Sequence, residues 1–201
     1  RKKSLSLENQ HKLMTVKVES EVLRETQLVV CLLFQYAGMS FVDFAHLKER
    51  NIKNGILDYN RQKTGTPMRL EILDTAELMR KELMGDKKPA SGYLFPFLSG
   101  TKTGYEAYLE YNAALSRFNR NLKALKKAAG IASDVTSYTI RHSFAMALKE
   151  QNVPIEMISE LLGHKSIKTT QIYLRSFSLE KMTEVNSTCF GCVYNYVSKV
   201  G

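Results

Sequence analysis

Three short segments of this sequence hold side chains suited to phosphodiester chemistry. Ser137-Tyr138-Thr139-Ile140-Arg141-His142-Ser143-Phe144-Ala145 puts an Arg-His pair early in a predicted helix. Leu161-Leu162-Gly163-His164-Lys165-Ser166 follows, and Thr169-Thr170-Gln171-Ile172-Tyr173 sets a tyrosine nine residues beyond His164. A phosphodiester is an anion, so cleaving it requires an activated attacking oxygen and neutralisation of the charge on its equatorial oxygens. Arg141 can hold two non-bridging oxygens at once, which a lysine does less well. His164 can hydrogen-bond the same phosphate or assist proton transfer. Tyr173 supplies a nucleophile and stores the bond energy as an ester, so rejoining needs no nucleotide.

Each residue also has a plainer role. Tyr173 is one of ten tyrosines, and a tyrosine picked blindly is a packing residue. Arg141 by itself suits an ion pair, and His142 suits a buried packing position. It is the order and spacing of the segments that point to chemistry.

Elements on both sides must bring these segments together. Residues 5–36 read as helical, with Leu23, Leu28, Val29, Leu32, Leu33 and Tyr36 at three-to-four spacing. Gly38 interrupts, and Ser40 can cap a short helix carrying Val42, Phe44, Ala45 and Leu47. The period then falls to two: residues 56–63 and 68–72 read as strands around the turn Thr64-Gly65-Thr66-Pro67. In that register Arg61 and Lys63 share one strand face. Asp74 is placed to cap a helix reaching about Met84, and loop-like stretches at 87–92 and 99–104 flank the apolar piece Tyr93 to Leu98. A long helix from Tyr105 to Ala129 ends at Gly130. On it Arg117, Arg120, Lys123 and Lys127 line one face, which suits DNA phosphate tracking and equally suits a solvated surface. Helices over Ser137–Glu150, Pro154–Leu162 and Ser166 to about Arg175 carry the three segments, with Pro154 in a first turn. Leu179 to Val197 is a last helical stretch, weakened by Gly191 and β-branched residues. The fold class expected is mainly α with a small antiparallel β-sheet, an α+β domain.

Composition narrows the partners. Twenty-nine Lys and Arg against 20 Asp and Glu give a net charge of +9 over 201 residues, an excess that favours a polyanion, of which nucleic acid is the commonest. The hydrophobic share of 44% is that of an ordinary folded chain. Leu28 to Phe34 is too short an apolar run to span a bilayer, and Arg1-Lys2-Lys3 followed by polar residues does not read as a signal peptide. A first residue other than Met suggests a piece of something longer. Three cysteines make no disulfide framework. The pair Cys189 and Cys192 lacks two further ligands nearby, so no metal site is expected.

The segments as quoted resemble the phage integrase family of tyrosine recombinases, which carries H-x-x-R-H, then L-G-H, then a tyrosine at this distance. The resemblance runs from the helix ending at Tyr36 to the tyrosine helix. It implies the DNA breaking-rejoining catalytic fold over 1–177, with a lysine-bearing β-hairpin near 56–72. It further implies a C-terminal helical tail, 178–201, passed to a neighbouring protomer or folded back on its own domain, and a separate N-terminal DNA-binding domain absent from this sequence. The activity implied is cofactor-free cleavage and rejoining of double-stranded DNA attachment sites through a 3′-phosphotyrosine, for integration or excision of a mobile element. A homo-tetramer on DNA, a monomer as an isolated fragment, accessory DNA-bending proteins and a cytoplasmic, nucleoid-associated location are implied too.

Carried over residue by residue, the family's site becomes Tyr173, Arg141, His164 and Tyr138, the last standing where the first histidine of H-x-x-R-H belongs. Lys63, on the turn where the family keeps a lysine, would protonate the leaving 5′ oxygen from the minor groove, though a solvated turn lysine is its plainer role. The family's first arginine, in its T-G-L-R-x-x-E-type box, falls at Ser40 in Ala37-Gly38-Met39-Ser40-Phe41-Val42-Asp43. Arg61 is the expected substitute, on the ground that it shares a face with Lys63. A phenol at Tyr138 can donate a hydrogen bond but accepts protons poorly near neutral pH. Two other readings keep the DNA-binding surface: a non-catalytic relative with a decayed site, and a relaxing enzyme of the type IB topoisomerase kind. A helical protein-interaction module would account for the helices but not for the motif order.

Overall fold

The apolar repeat of the first forty residues makes two helices rather than one. The computed structural model describes residues 4–89, 92–174 and 182–188, apart from the side chain of Tyr173. In it α1 covers Leu7–Thr15 and α2 covers Glu21–Gln35. Val16 and Val18, β-branched, and Ser20 lie in the break. Gln27 satisfies the end of α1 by donating from Nε2 to the carbonyls of Leu13 and Val16, at 3.4 and 2.8 Å.

The middle of α2, from Thr26 to Leu33, is buried all round, as a helix enclosed by others must be. It packs against α4 (Asp74–Met84), α5 (Gly104–Ala128) and α6 (Ser137–Glu150). Its end is a left-handed cap: Ala37 and Gly38 have φ of 54° and 64°, and Met39 N–H reaches back to Leu33 O at 2.9 Å. Ser40 then caps α3 (Phe41–Ala45), its hydroxyl accepting from Asp43 N–H. Stacked rings fix α3, Phe41 on Phe118 at 4.7 Å and Phe44 on Phe95 at 4.1 Å.

The sheet has three antiparallel strands in the order β1-β2-β3. β1 (Ile52–Lys53) was not expected; β2 covers Ile56–Asn60 and β3 Pro67–Glu71. Asn54 and Gly55, with φ of 51° and 73°, form the two-residue turn joining β1 to β2. Leu57 pairs with Leu70 and Tyr59 with Met68 on the core side, while Asp58 faces Arg69 on the other.

Because β2 stops at Asn60, Arg61 and Lys63 do not share a strand face, and that expectation is corrected. Arg61 N–H binds Thr66 O at 2.9 Å and Gly65 N–H binds Arg61 O at 2.8 Å, closing a loop. Arg61 turns inward and is buried, whereas Lys63 is exposed. Two helix starts also shift by a residue. Leu73 rather than Asp74 precedes α4, and Pro154 stands just before α7 (Ile155–Leu161) instead of within it. α8 is Ile167–Tyr173, with Ser166 as its cap.

Residues 182–188 are helical and exposed. Cys189, Phe190, Cys192, Val193, Tyr194 and Val197 lie outside the described residues. Among the described residues no helix is long and apolar enough to cross a membrane. Among the described residues there are two hydrophobic clusters. The large one gathers residues from Leu5 to Ile140, and a small one joins Ala145, Ile158 and Leu162. Helix α6 belongs to both, through Ile140 and Ala145.

Candidate active site

At the seam between the two clusters, charged side chains from distant parts of the chain meet on one turn. Leu162 and Gly163 follow α7 directly, and Gly163 needs its left-handed φ of 59° to turn the chain into His164. Arg141 of α6, 4% exposed, donates from Nη2 to Leu162 O and from Nη1 to Gly38 O at 2.8 Å. Arg61, entering from the hairpin loop, donates from Nη1 to Gly163 O at 3.0 Å. Successive carbonyls of one turn therefore hold both guanidinium groups.

The rest of the loop is tied to α3. Asp43, 2% exposed, accepts from Arg61 Nε at 3.4 Å and from Gln62 N–H at 2.7 Å. Ser40 Oγ donates to the same carboxylate at 2.5 Å. Ser40, at the family's arginine position, thus works as a helix cap and a partner for Asp43, and the buried arginine beside Asp43 comes from the hairpin instead.

His164 stands next to both arginines. Its Nε2 lies 3.4 Å from Arg141 Nη2, and its Nδ1 lies 2.9 Å from Oγ1 of Thr170, which is fully buried in α8. Burial, and then the positive charges of Arg141, Arg61 and Lys63, bring its pKa down to about 4. Lys63 is therefore close enough for its charge to act on the ring. Tyr59, behind the site, has its pKa raised by burial and by Asp43 against the opposing pull of Arg141 and Arg61.

The remaining expected residues fall in different places. Tyr173 is the last residue of α8, one turn after Thr170, and its side chain lies outside the described residues. Tyr138, 36% exposed, sits one helical turn before Arg141. His142 is buried, at 5% exposure. Arg117, Arg120, Lys123 and Lys127 are exposed on α5, opposite the buried stripe of Ala114, Phe118, Leu122 and Leu125. Among the described residues none of these four has a hydrogen bond or ion pair to the Arg141–His164 cluster. Among the described residues no group of three or more His, Cys, Asp or Glu gathers as a metal site would. Sequence reasoning missed Thr170, although it quoted the residue within its motif, and it gave Asp43 no partner.

Comparisons with known proteins bear on the family and the fold. The profile described as Phage integrase family matches residues 3–180. Tyrosine recombinase XerD of Lacticaseibacillus casei is 52% identical over 54 residues, 27% of this chain and 18% of that protein. Tyrosine recombinase XerC of Rickettsia typhi is 41% identical over 75 residues, 37% of this chain and 24% of that protein. The matched stretches thus span a quarter or less of these relatives. Among solved structures, XerA recombinase superposes with a TM-score of 0.67 at 20% identity, covering 92% of this chain and 63% of the other. The Tn1549 transposon integrase in complex with a circular intermediate DNA gives 0.69 at 14% identity, over 93% and 66%. A mainly helical domain with a three-stranded sheet, superposing on recombinase structures and matched by the profile along most of its length, places this chain in the phage integrase family of tyrosine recombinases, with the fold of their catalytic domain.

Proposed function

We propose that the protein is a site-specific DNA recombinase that cleaves and rejoins attachment sites through a 3′-phosphotyrosine at Tyr173, in the integration or excision of a mobile element. The observation that carries this reading is the joining of Arg141 and Arg61 on adjacent carbonyls of the turn that presents His164. A scissile phosphate entering there meets two guanidinium groups for its non-bridging oxygens. The Tyr173 hydroxyl gives its proton to water as its oxygen attacks phosphorus, the bond to the 5′ oxygen breaks, and Lys63 gives that oxygen a proton. In the reverse step a 5′ hydroxyl returns its proton and displaces the tyrosine.

Arg61 takes the part of the missing first arginine for a reason other than strand register: Asp43 and Gly163 O hold it beside His164. Tyr138 would donate a hydrogen bond to the phosphate, and the basic face of α5 would follow the DNA backbone, positioning the duplex without reading its sequence. Solved relatives include a lambda integrase dimer bound to a COC′ core site, which supports duplex DNA as the partner here. Assembly as four copies on DNA, exchange of the tail beyond residue 178, accessory DNA-bending proteins and a cytoplasmic location belong to the same reading.

One observation favours a second reading, a DNA-binding relative without cleavage: Ser40 stands where the family keeps an arginine. The test presents the intact protein with nicked duplexes randomised around the nick, and recovers and sequences covalent adducts. Adducts that vanish in Tyr173→Phe are expected. Arg61→Ala should slow their formation by about 10²–10³-fold, with Arg61→Lys a poor replacement. Binding without any adduct would put the second reading first.

A further inference from the structure

The bond between His164 and Thr170 joins the phosphate-facing histidine to the helix that carries the nucleophile, and its chemistry constrains where the imidazole proton sits. Arginine offers only donors, so the contact from Arg141 Nη2 to Nε2 at 3.4 Å requires Nε2 to be the accepting nitrogen. The ring proton is then on Nδ1, and Thr170 Oγ1 at 2.9 Å accepts it. A phosphate oxygen arriving at Nε2 reverses the demand, because the ring must now donate there. A hydroxyl carries one donor and two lone pairs, so Thr170 can turn and donate to Nδ1 without the ring moving. A carboxylate in its place would hold the proton on Nδ1 and favour the charged ring.

We propose that Thr170 is a positioning residue, whose buried hydroxyl keeps the His164 ring oriented as the scissile phosphate binds, when Nε2 takes a proton from solvent and Nδ1 gives its own up to solvent, so that the ring ends neutral with its proton on Nε2. Resting on the recombinase reading of the site, the proposal adds a reason for a hydroxyl at this position. Thr170 is 0% exposed, so its hydroxyl is kept from water and directed at the ring. It lies one turn before Tyr173 in α8, so the same bond fixes the tyrosine helix against the Leu162-Gly163-His164 turn.

Two measurements decide. Nitrogen NMR of the His164 ring in the intact protein at neutral pH, without DNA, should find the proton on Nδ1, and a ring protonated on Nε2 overturns the proposal. On the nicked duplex selected by adduct recovery, Thr170→Val should lower single-turnover cleavage at saturating DNA by roughly 10–100-fold, the scale seen when the hydrogen-bond partner of an active histidine is removed. Its DNA affinity should stay near that of the wild type, its pH–rate profile should shift, and Thr170→Ser should restore most of the rate. A valine variant as fast as the wild type, or a serine variant as slow as valine, overturns it. If valine does not fold, the ring NMR and the serine variant still decide: a serine variant slowed 10-fold or more against the wild type then overturns the proposal. Absence of any adduct from the wild type would remove the recombinase reading, while the ring measurement would still judge Thr170 on its own.

Discussion

At His164, burial and three neighbouring cations act in the same direction. Its pKa falls from 6.5 to about 4, so the ring is neutral near pH 7 in the free protein. Between those values the unfolded chain binds more protons at this position than the folded one, so the stability that depends on His164 rises with pH there and is lost as pH falls. A bound phosphate brings negative charge to the same place and should raise the pKa again. DNA binding at pH 5.5 is therefore expected to take up protons, measured by calorimetry in buffers of different ionisation heat, and His164→Gln should take up fewer. Equal uptake by both proteins would rule out His164 as the group that senses the phosphate. Gly163 is constrained by the same turn. Its φ is 59°, and a Cβ there would come within 2.6 Å of Arg61 Cδ and press on Met68 Sδ. Gly163→Ala should cost about 1–3 kcal/mol in denaturant unfolding and displace Arg61, so a wild-type midpoint would show that the turn is looser than this packing indicates. Arg141 and His164 were legible because motif spacing marks them. Arg61 was picked out for a strand face that does not exist, since the pairing that draws it inward is made with Asp43, eighteen positions earlier, and with Gly163 O. Neither contact leaves a periodic trace in the sequence.

Among the elements, the hairpin loop places two basic residues in opposite surroundings. Its closing bonds, Arg61 N–H to Thr66 O and Gly65 N–H to Arg61 O, fold the chain tightly enough to bury Arg61 while leaving Lys63 exposed at the rim. An exposed ammonium on a flexible four-carbon stem suits a general acid that must follow the leaving oxygen into the DNA groove. Lys63→Ala should slow cleavage by about 10²–10⁴-fold on ordinary DNA. Replacing the bridging 5′ oxygen by sulfur, which leaves as a thiolate with little need of a proton, should restore most of that rate. A variant equally slow on both substrates would give Lys63 a binding role instead. The helices that carry the three motifs were legible from apolar spacing and caps, with Ser137–Glu150 recovered at both ends. β1 was missed although Asn54-Gly55 is a strong signal for a two-residue hairpin, because two residues per side are too few to show alternation. The break between α1 and α2 was hidden because Val16 and Val18 continue the apolar pattern while the helix stops. A glutamine eleven or more residues further on supplies the closing bonds, and no local rule anticipates that.

For the molecule as a whole, what matters is that the site lies between a large core and a small one. The buried members of the small cluster are Ala145, Ile158 and Leu162, far less apolar surface than α2 and its neighbours enclose. By area alone α7 and α8 should open more readily than α2 or α5. What fastens them to the larger body includes the site's own bonds: Arg141 reaches from α6 to Gly38 O and Leu162 O, and Arg61 reaches from the hairpin to Gly163 O. Part of the cost is mutual repulsion between the two guanidinium groups that meet here, of which Arg61 pairs with the buried carboxylate of Asp43. A DNA phosphate would add negative charge beside these groups and, by preferring the closed arrangement to the open one, should stabilise the seam by linkage. Hydrogen exchange is expected to be faster at the amides of α7 and α8 than in α2, and DNA should slow the former much more than the latter. Arg61→Ala and Arg141→Ala should each weaken that protection more than Lys63→Ala does, because the two arginines make the bonds across the seam while Lys63 stands exposed at its rim. Uniform slowing of every helix would mean that DNA stabilises the fold generally; protection confined to α7 and α8 would mean that the phosphate itself closes the site and brings the Tyr173 helix into place.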